Sequence, residues 1–505
     1  MAHIDLLDGG AGSGTDLTGA GSVFHNRAFI FLWSAQLLSQ LASNMVLAAL
    51  IGIVYGATRS NTANALLILS FLVPAVLFST LGGVLVERSN ARTIMLATNI
   101  VRAAATIGFI FVAANRETAS VPLIYAITMV VATATAFFAP AELTSIPRIV
   151  ERRHLMAANS IFVLTINATF ALGFGLLGPL LLTATGNAVA VYVVVAIMFG
   201  LSAAAILPLP AVRPEHVRPA GEAAGRALKE LMSELREGAA FVRGHGEIAW
   251  SLVYLGVAAS LIGVIGAIGP GFATDVLRLT AQDFFFIVGP AGIGAIVGIL
   301  FLNSYGKGMP KRLVIDVGLV AMGVTLIALA VVKPVTGVLA PAVAPLEDAL
   351  PTFAPLTSLI AVVVVIAIFA GIEYAFVAIP SQTALQEELP TAVRGRIFGI
   401  LNTLLSLASF LPVLVAPAAA DVLNIFFPGA GIPVVMGALG LATLWAGIAS
   451  WRRNARAGLH EHDRTDGPPA DAVDEAVAPG TPPFDEPSEK PHRRRRRRRP
   501  TTDAD

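Results

Sequence analysis

Stretches without a single charged residue dominate the chain: 28–58, 60–86, 118–141, 155–212, 248–274, 284–306, 349–372, 397–420 and 422–451. Each can supply the ~20 apolar residues that cross a bilayer core, and the fourth is long enough for two crossings. The apolar residues run on continuously, where a barrel strand would alternate over ~10 residues, so the predicted elements are helices. Twelve spans account for the pattern, at roughly 28–56, 62–86, 93–114, 120–140, 156–183, 187–208, 248–273, 284–303, 313–332, 357–380, 396–419 and 431–451. The expected fold class is an all-α membrane protein.

Composition agrees. Hydrophobic residues make up 55% of the 505 and charged residues 13%, about half the charged share of a soluble domain. Of the 67 charged residues, 20 fall in 457–505, which leaves the rest of the chain poorer still. The sequence holds no cysteine, which excludes disulfides, thiol catalysis and cysteine-ligated metal sites. No G-x-x-x-x-G-K-[ST] occurs, which argues against a pump with its own P-loop. Neither a metal nor a cofactor is expected. Residues 1–22 are rich in Gly, Asp, Ser and Thr and lack a basic start before an apolar core, so no cleaved signal peptide is expected.

Lys and Arg set the orientation. With the N-terminus in the cytoplasm, the cytoplasmic loops hold 20 of them before the tail is counted, and the outer loops hold four, Arg59, Arg116, Arg278 and Lys333. The chain is therefore expected to be multi-pass in the plasma (inner) membrane with both termini cytoplasmic. Five regions follow: a disordered N-terminus at 1–23, a six-helix bundle at 24–210, a linker at 211–247, a second six-helix bundle at 248–451 and a disordered tail at 452–505. In the linker, Leu228, Leu231, Leu235 and Val242 recur at helical spacing among charges, the mark of an amphipathic helix. In the tail, nine acids between Glu461 and Glu489 precede seven consecutive arginines, Arg493–Arg499. Such a run suits anionic lipid better than nucleic acid.

The halves echo each other at an offset of about 240. Pro140-Ala141-Glu142 leads to Ile146-Pro147, and Pro380-Ser381-Gln382 leads to Leu389-Pro390; both are read as loops after the fourth span of their half. Parallel repeats of this kind place a substrate site near the bilayer midplane, between the halves.

The order of these features resembles the major facilitator superfamily, in the branch of siderophore exporters and macrolide-efflux-type proteins. The residues after the second span, Gly82-Gly83-Val84-Leu85-Val86-Glu87-Arg88-Ser89-Asn90-Ala91-Arg92, are similar to that superfamily's Gly-x-Leu-Ala-Asp-Arg-x-Gly-Arg-Arg signature. Further matches are Asn26-Arg27 with Trp33 and Gln36, Ala139-Pro140-Ala141, Gly178-Pro179, and Arg394-Gly395-Arg396-Ile397-Phe398-Gly399. The resemblance covers 24–451 and implies two six-helix bundles, twelve transmembrane helices in all, that rock around a central site. It also implies that Glu87, Arg88 and Arg92, with Arg102 and Glu142 at the same membrane face, form a conformational latch. The chain departs from the branch at Ser43 and Asn99, where acids are common.

Gln36, Gln40 and Asn44 fall at i, i+4 and i+8 of the first span. Amides facing lipid would be unsatisfied, so this stripe should face protein or a water-filled path. Asn167, Asn402 and Ser406 are candidates of the same kind. Glu373, beside Tyr374, is read as the only acid well inside a span; it should be protonated, paired or hydrated there, which suits proton coupling or a cationic substrate. Pairing with Arg394 or Arg396 is the structural alternative. Arg102 is the matching intramembrane base, with Glu142 or Glu87 as its expected partner.

The function expected is a secondary active transporter, not an enzyme, working by alternating access. It is expected to be a monomer that exports an amphipathic small molecule, drug-like or siderophore-like, in exchange for protons. The alternatives are a uniporter or importer without proton coupling, and a non-transporting membrane scaffold or sensor using its charged tail.

Overall fold

The computed structural model describes residues 23–114, 120–211, 246–306, 309–349, 358–387 and 394–456, and a few positions between 233 and 244. Residues 1–22, the tail beyond Arg456 with its arginine run, and most of the linker with its expected amphipathic helix lie outside the described residues. Among the described residues, 11 helices are long and apolar enough to cross a membrane. In the first half these are Arg27–Thr58, Asn61–Arg88, Ala91–Ala114, Val121–Ile149 and Ala188–Ile206, the first to fourth and the sixth spans. In the second half they are Gly246–Gly271, Phe285–Tyr305, Lys311–Ala349, Leu359–Glu387, Arg394–Phe426 and Gly431–Arg456, the seventh to twelfth.

The fifth span differs from its expected form. It crosses in three pieces, Leu155–Thr169, a π-helical stretch Phe170–Leu177, and Gly178–Thr185. Pro179 has no N–H to give the carbonyl four residues back. The Gly178 N–H instead reaches the Gly173 carbonyl, five residues back, which widens the turn. That turn presses on the first span: a Cβ on Gly173 would sit 2.9 Å from the Asn44 Cβ.

The expected loops after the fourth and tenth spans are helical. Pro140-Ala141-Glu142 lies inside Val121–Ile149, and Pro380-Ser381-Gln382 inside Leu359–Glu387. Burial explains the first: Phe138, Ala141, Glu142 and Ile146 recur on one face and are all buried, so packing carries the helix past Pro140. The ninth span likewise runs on to Ala349, beyond its expected end near 332, and the eleventh to Phe426.

Small residues let spans approach closely. A Cβ on Gly371 of the tenth span would collide with the Ala291 carbonyl of the eighth, and one on Gly263 of the seventh with Val413 of the eleventh. The second span packs on the fourth, the third on the sixth, and the ninth on the tenth and twelfth. Between the halves, the second span meets the eleventh and seventh, and the π stretch of the fifth meets the eighth.

The cores divide unequally along the membrane normal. One apolar cluster joins both halves through residues such as Leu50, Ile51, Leu67 and Phe174 on one side and Ile268, Phe284 and Val413 on the other. A second, including Phe29, Leu32, Met95, Phe138 and Ile206, belongs to the first half alone. A third, Ile248, Leu385 and Leu401, belongs to the second half alone. The halves share a core at the end opposite the linker, called here the outer end. At the linker end the first half has its own cluster, and the second half has the third cluster together with a continuation of the shared one through Tyr254, Ile315 and Leu319.

Candidate translocation site

At the outer end Asp421 of the eleventh span receives the start of the second. Its carboxylate accepts hydrogen bonds from the hydroxyls of Ser60 and Thr62, the backbone N–H groups of Asn61 and Thr62, and the Asn61 side-chain amide, at 2.7–3.0 Å. Ser60 is the helix N-cap, so Asp421 satisfies N–H groups that a helix start leaves without partners and sits where the helix dipole favours an anion. Nearby, the Asn64 amide donates to the Ala267 carbonyl at 3.3 Å and Thr274 to the Tyr55 hydroxyl at 3.4 Å. These hydrogen bonds join the two halves at this end.

The expected polar wall is partly in view. Gln36 is buried, with Oε1 lacking a partner, while Gln40 and Asn44 are half-buried on the same face. Ser406 is half-buried, and the side chains of Asn167 and Asn402 lie outside the described residues.

Glu373 is buried in the middle of the tenth span and turns toward the ninth, where its Oε1 accepts from the Thr325 hydroxyl at 2.8 Å. Its Oε2 has no partner. Tyr374 is half-buried against the shared core. The side chains of Arg394 and Arg396, the alternative partners, lie outside the described residues. Glu373 is not alone among acids. Because the eleventh helix runs further than the apolar pattern suggests, Asp421 lies inside it, and a fully buried Asp316 lies near the start of the ninth span, within its expected bounds.

Among the latch residues, the side chains of Glu87 and Arg88 lie outside the described residues. Arg92 donates to the Leu207 carbonyl at the end of the sixth span, within its own half. Arg102 is wholly buried, donating to the Ser39 hydroxyl and the Asn99 side-chain Oδ1, each at 2.7 Å. Phe138 and Phe199 lie 4.6 and 4.9 Å from its guanidinium carbon, so aromatic faces stand in for lost water. The expected direct pair with Glu142 does not form. The two charges attract only across a gap, and Glu142 Oε1 and Arg102 Nε have no hydrogen-bond partners. The reason is geometric: Ser39, Asn99 and the two rings already hold the guanidinium.

A second buried polar group was not foreseen. Asp316 accepts from Ser450 and, at 2.9 Å, from Asn454, both on the twelfth span. Tyr254 of the seventh shares a 2.6 Å hydrogen bond with Ser450 and accepts from Arg453 at 2.8 Å. Arg453 in turn lies 3.8 Å over the Trp250 ring. The spacing Ser450-x-x-Arg453-Asn454 carried the signal, but it straddles the point where apolarity ends and reads as boundary charge.

Among the described residues there is no group of His, Cys, Asp and Glu able to hold a metal. The bundle resembles solved transporters. The nucleoside transporter NupG aligns with a TM-score of 0.60 at 13% identity, covering 84% of this chain and 99% of that one. The POT family transporter PepTSo aligns at 0.59 and 12%, covering 86% and 98%. A bacterial homolog of the human lysosomal transporter Spinster, inward-facing and unoccupied, aligns at 0.57 and 16%, covering 90% and 100%. No curated protein matches the sequence. The family model of the Major Facilitator Superfamily matches residues 32–413. The chain is thus a multi-pass membrane protein and a secondary transporter rather than an enzyme, and it belongs to the Major Facilitator Superfamily.

Proposed function

We propose that this transporter works by alternating access and exports an amphipathic small molecule in exchange for protons across the plasma membrane. The observation that carries the reading is the uneven core. The halves are sewn together at the outer end by Asp421 and a shared apolar cluster, while at the linker end the first half's cluster stands apart from the second half's. Rocking about the closed end would expose a central path first to one side and then to the other. Gln36, Gln40 and Asn44, with Asn167, Asn402 and Ser406, supply a polar wall for that path, and the apolar lining of the spans suits an amphipathic cargo. The excess of Lys and Arg on the linker side assigns that side to the cytoplasm. The protein acts as a monomer. Glu87, Arg88 and Arg92, backed by Arg102 and Glu142, brace the linker end as the halves move.

Glu373 is the proposed proton carrier. It is a buried carboxylate with one oxygen unpartnered, so a proton can be held there and lost without unpairing another group. The test uses protein reconstituted into vesicles with an imposed pH gradient and a panel of amphipathic dyes. The wild type should concentrate a dye uphill. Glu373→Gln should abolish uphill movement and keep exchange down the dye's own gradient, since glutamine retains size and hydrogen bonding. If Glu373→Gln pumps normally, the carboxylate serves only its bond to Thr325 and another group carries the proton; a uniporter is favoured if the wild type itself only equilibrates the dye.

A further inference from the structure

The first and sixth spans lie against each other along much of their length, but their counterparts, the seventh and twelfth, barely touch. This leaves a crevice of about 700 Å³ between the seventh, eleventh and twelfth spans. Its walls include Gly256 and Ser260 of the seventh span, Leu405 and Pro412 of the eleventh, and Thr443 and Ala446 of the twelfth. Every lining residue belongs to the second half and its approach from the linker, so the crevice is separate from the path between the halves. No acid lines it.

The linker end carries the charge. Arg243, exposed, forms part of the rim. Two helical turns beyond Ala446, Arg453 stacks on Trp250 and keeps its buried Nη1 without an acceptor. An apolar slot of this size at bilayer depth gives water too few hydrogen-bond partners, so hydrocarbon fills it better. Cations at the membrane-interface end favour an anionic headgroup.

We propose that the crevice is a phospholipid site, taking an acyl chain between the three spans and the phosphate of an anionic lipid at Arg243. The occupant belongs to the membrane and is distinct from the transported molecule.

The experiment reconstitutes the full chain into vesicles of equal parts phosphatidylglycerol and phosphatidylcholine, extracts it in mild detergent, and counts retained lipid by mass spectrometry. The wild type should retain phosphatidylglycerol in preference to phosphatidylcholine. Gly256→Leu and Ala446→Phe fill the crevice from opposite walls, and either should remove the retained lipid. Arg243→Gln, at an exposed position that threatens no packing, should lower the preference about fivefold, as expected for one basic side chain at an anionic surface. The proposal is overturned if the filled variants retain lipid as the wild type does, or if Arg243→Gln leaves the preference unchanged. It is equally overturned if the filled variants keep their lipid and lose dye transport, which would make the crevice a passage for cargo.

Discussion

The two halves bury opposite charges at corresponding places. In the first half, Arg102 of the third span ties to Ser39 of the first, and its neighbour Asn99 donates at 3.0 Å to Ser202 of the sixth. Ser202 in turn donates to the Ala35 carbonyl at 2.7 Å, closing the link from sixth span to first. In the second half, Asp316 of the ninth span ties to Ser450 and Asn454 of the twelfth, and Tyr254 brings in the seventh. The same three spans of each bundle are joined, around a cation in one and an anion in the other. Their means of burying charge also differ. The guanidinium has two hydrogen bonds and two aromatic faces, whereas the carboxylate depends on hydrogen bonds from neighbours that are themselves buried. The repeat therefore preserves which helices are tied together and leaves the chemistry of the tie free to change.

That difference makes an unequal pair of predictions. Asp316→Leu removes the acceptor that Ser450 and Asn454 share and strands buried donors, at a cost of about 3 kcal/mol in unfolding from mixed micelles. Arg102→Met keeps the packing between Phe138 and Phe199 and leaves acceptors, one of which can rotate to a new partner; its cost should be smaller, about 1–2 kcal/mol. A larger loss for Arg102→Met would break the comparison. Arg453→Gln sharpens it from the rim, removing the cation over Trp250 for about 1 kcal/mol, read as a small drop in thermal midpoint.

Much of the fold was legible because bilayer length and continuous apolarity leave few alternatives to a helix. The departures come from residues whose usual meaning packing overrides. Pro140 and Pro380 read as loop markers, yet burial of Ala141 and Ser381 keeps the helices intact. Gly178-Pro179 read only as a match to the family, and nothing local says that the answer is a π turn against Asn44. Among candidate site residues, the pattern found Gln36, Arg102 and Glu373 as polar groups inside spans. It missed Asp316 and Asp421, since each lies just where the charge-free run stops, and a carboxylate there reads as an interface residue. Their roles depend on partners 134 and 361 positions away, Ser450 and Ser60, which no periodicity connects.

The outer clasp bears most directly on alternating access. Spin labels placed in pairs, one across the outer ends of the second and eleventh spans and one across the linker ends of the fourth and tenth, report both gates by electron–electron distance. Wild-type protein should give a short outer distance and a long one at the linker end. Asp421→Ala, which removes all five hydrogen bonds to the start of the second span, should shift the population so that the outer distance lengthens while the linker-end distance shortens. Two distances that stay fixed, or that lengthen together, would contradict the account.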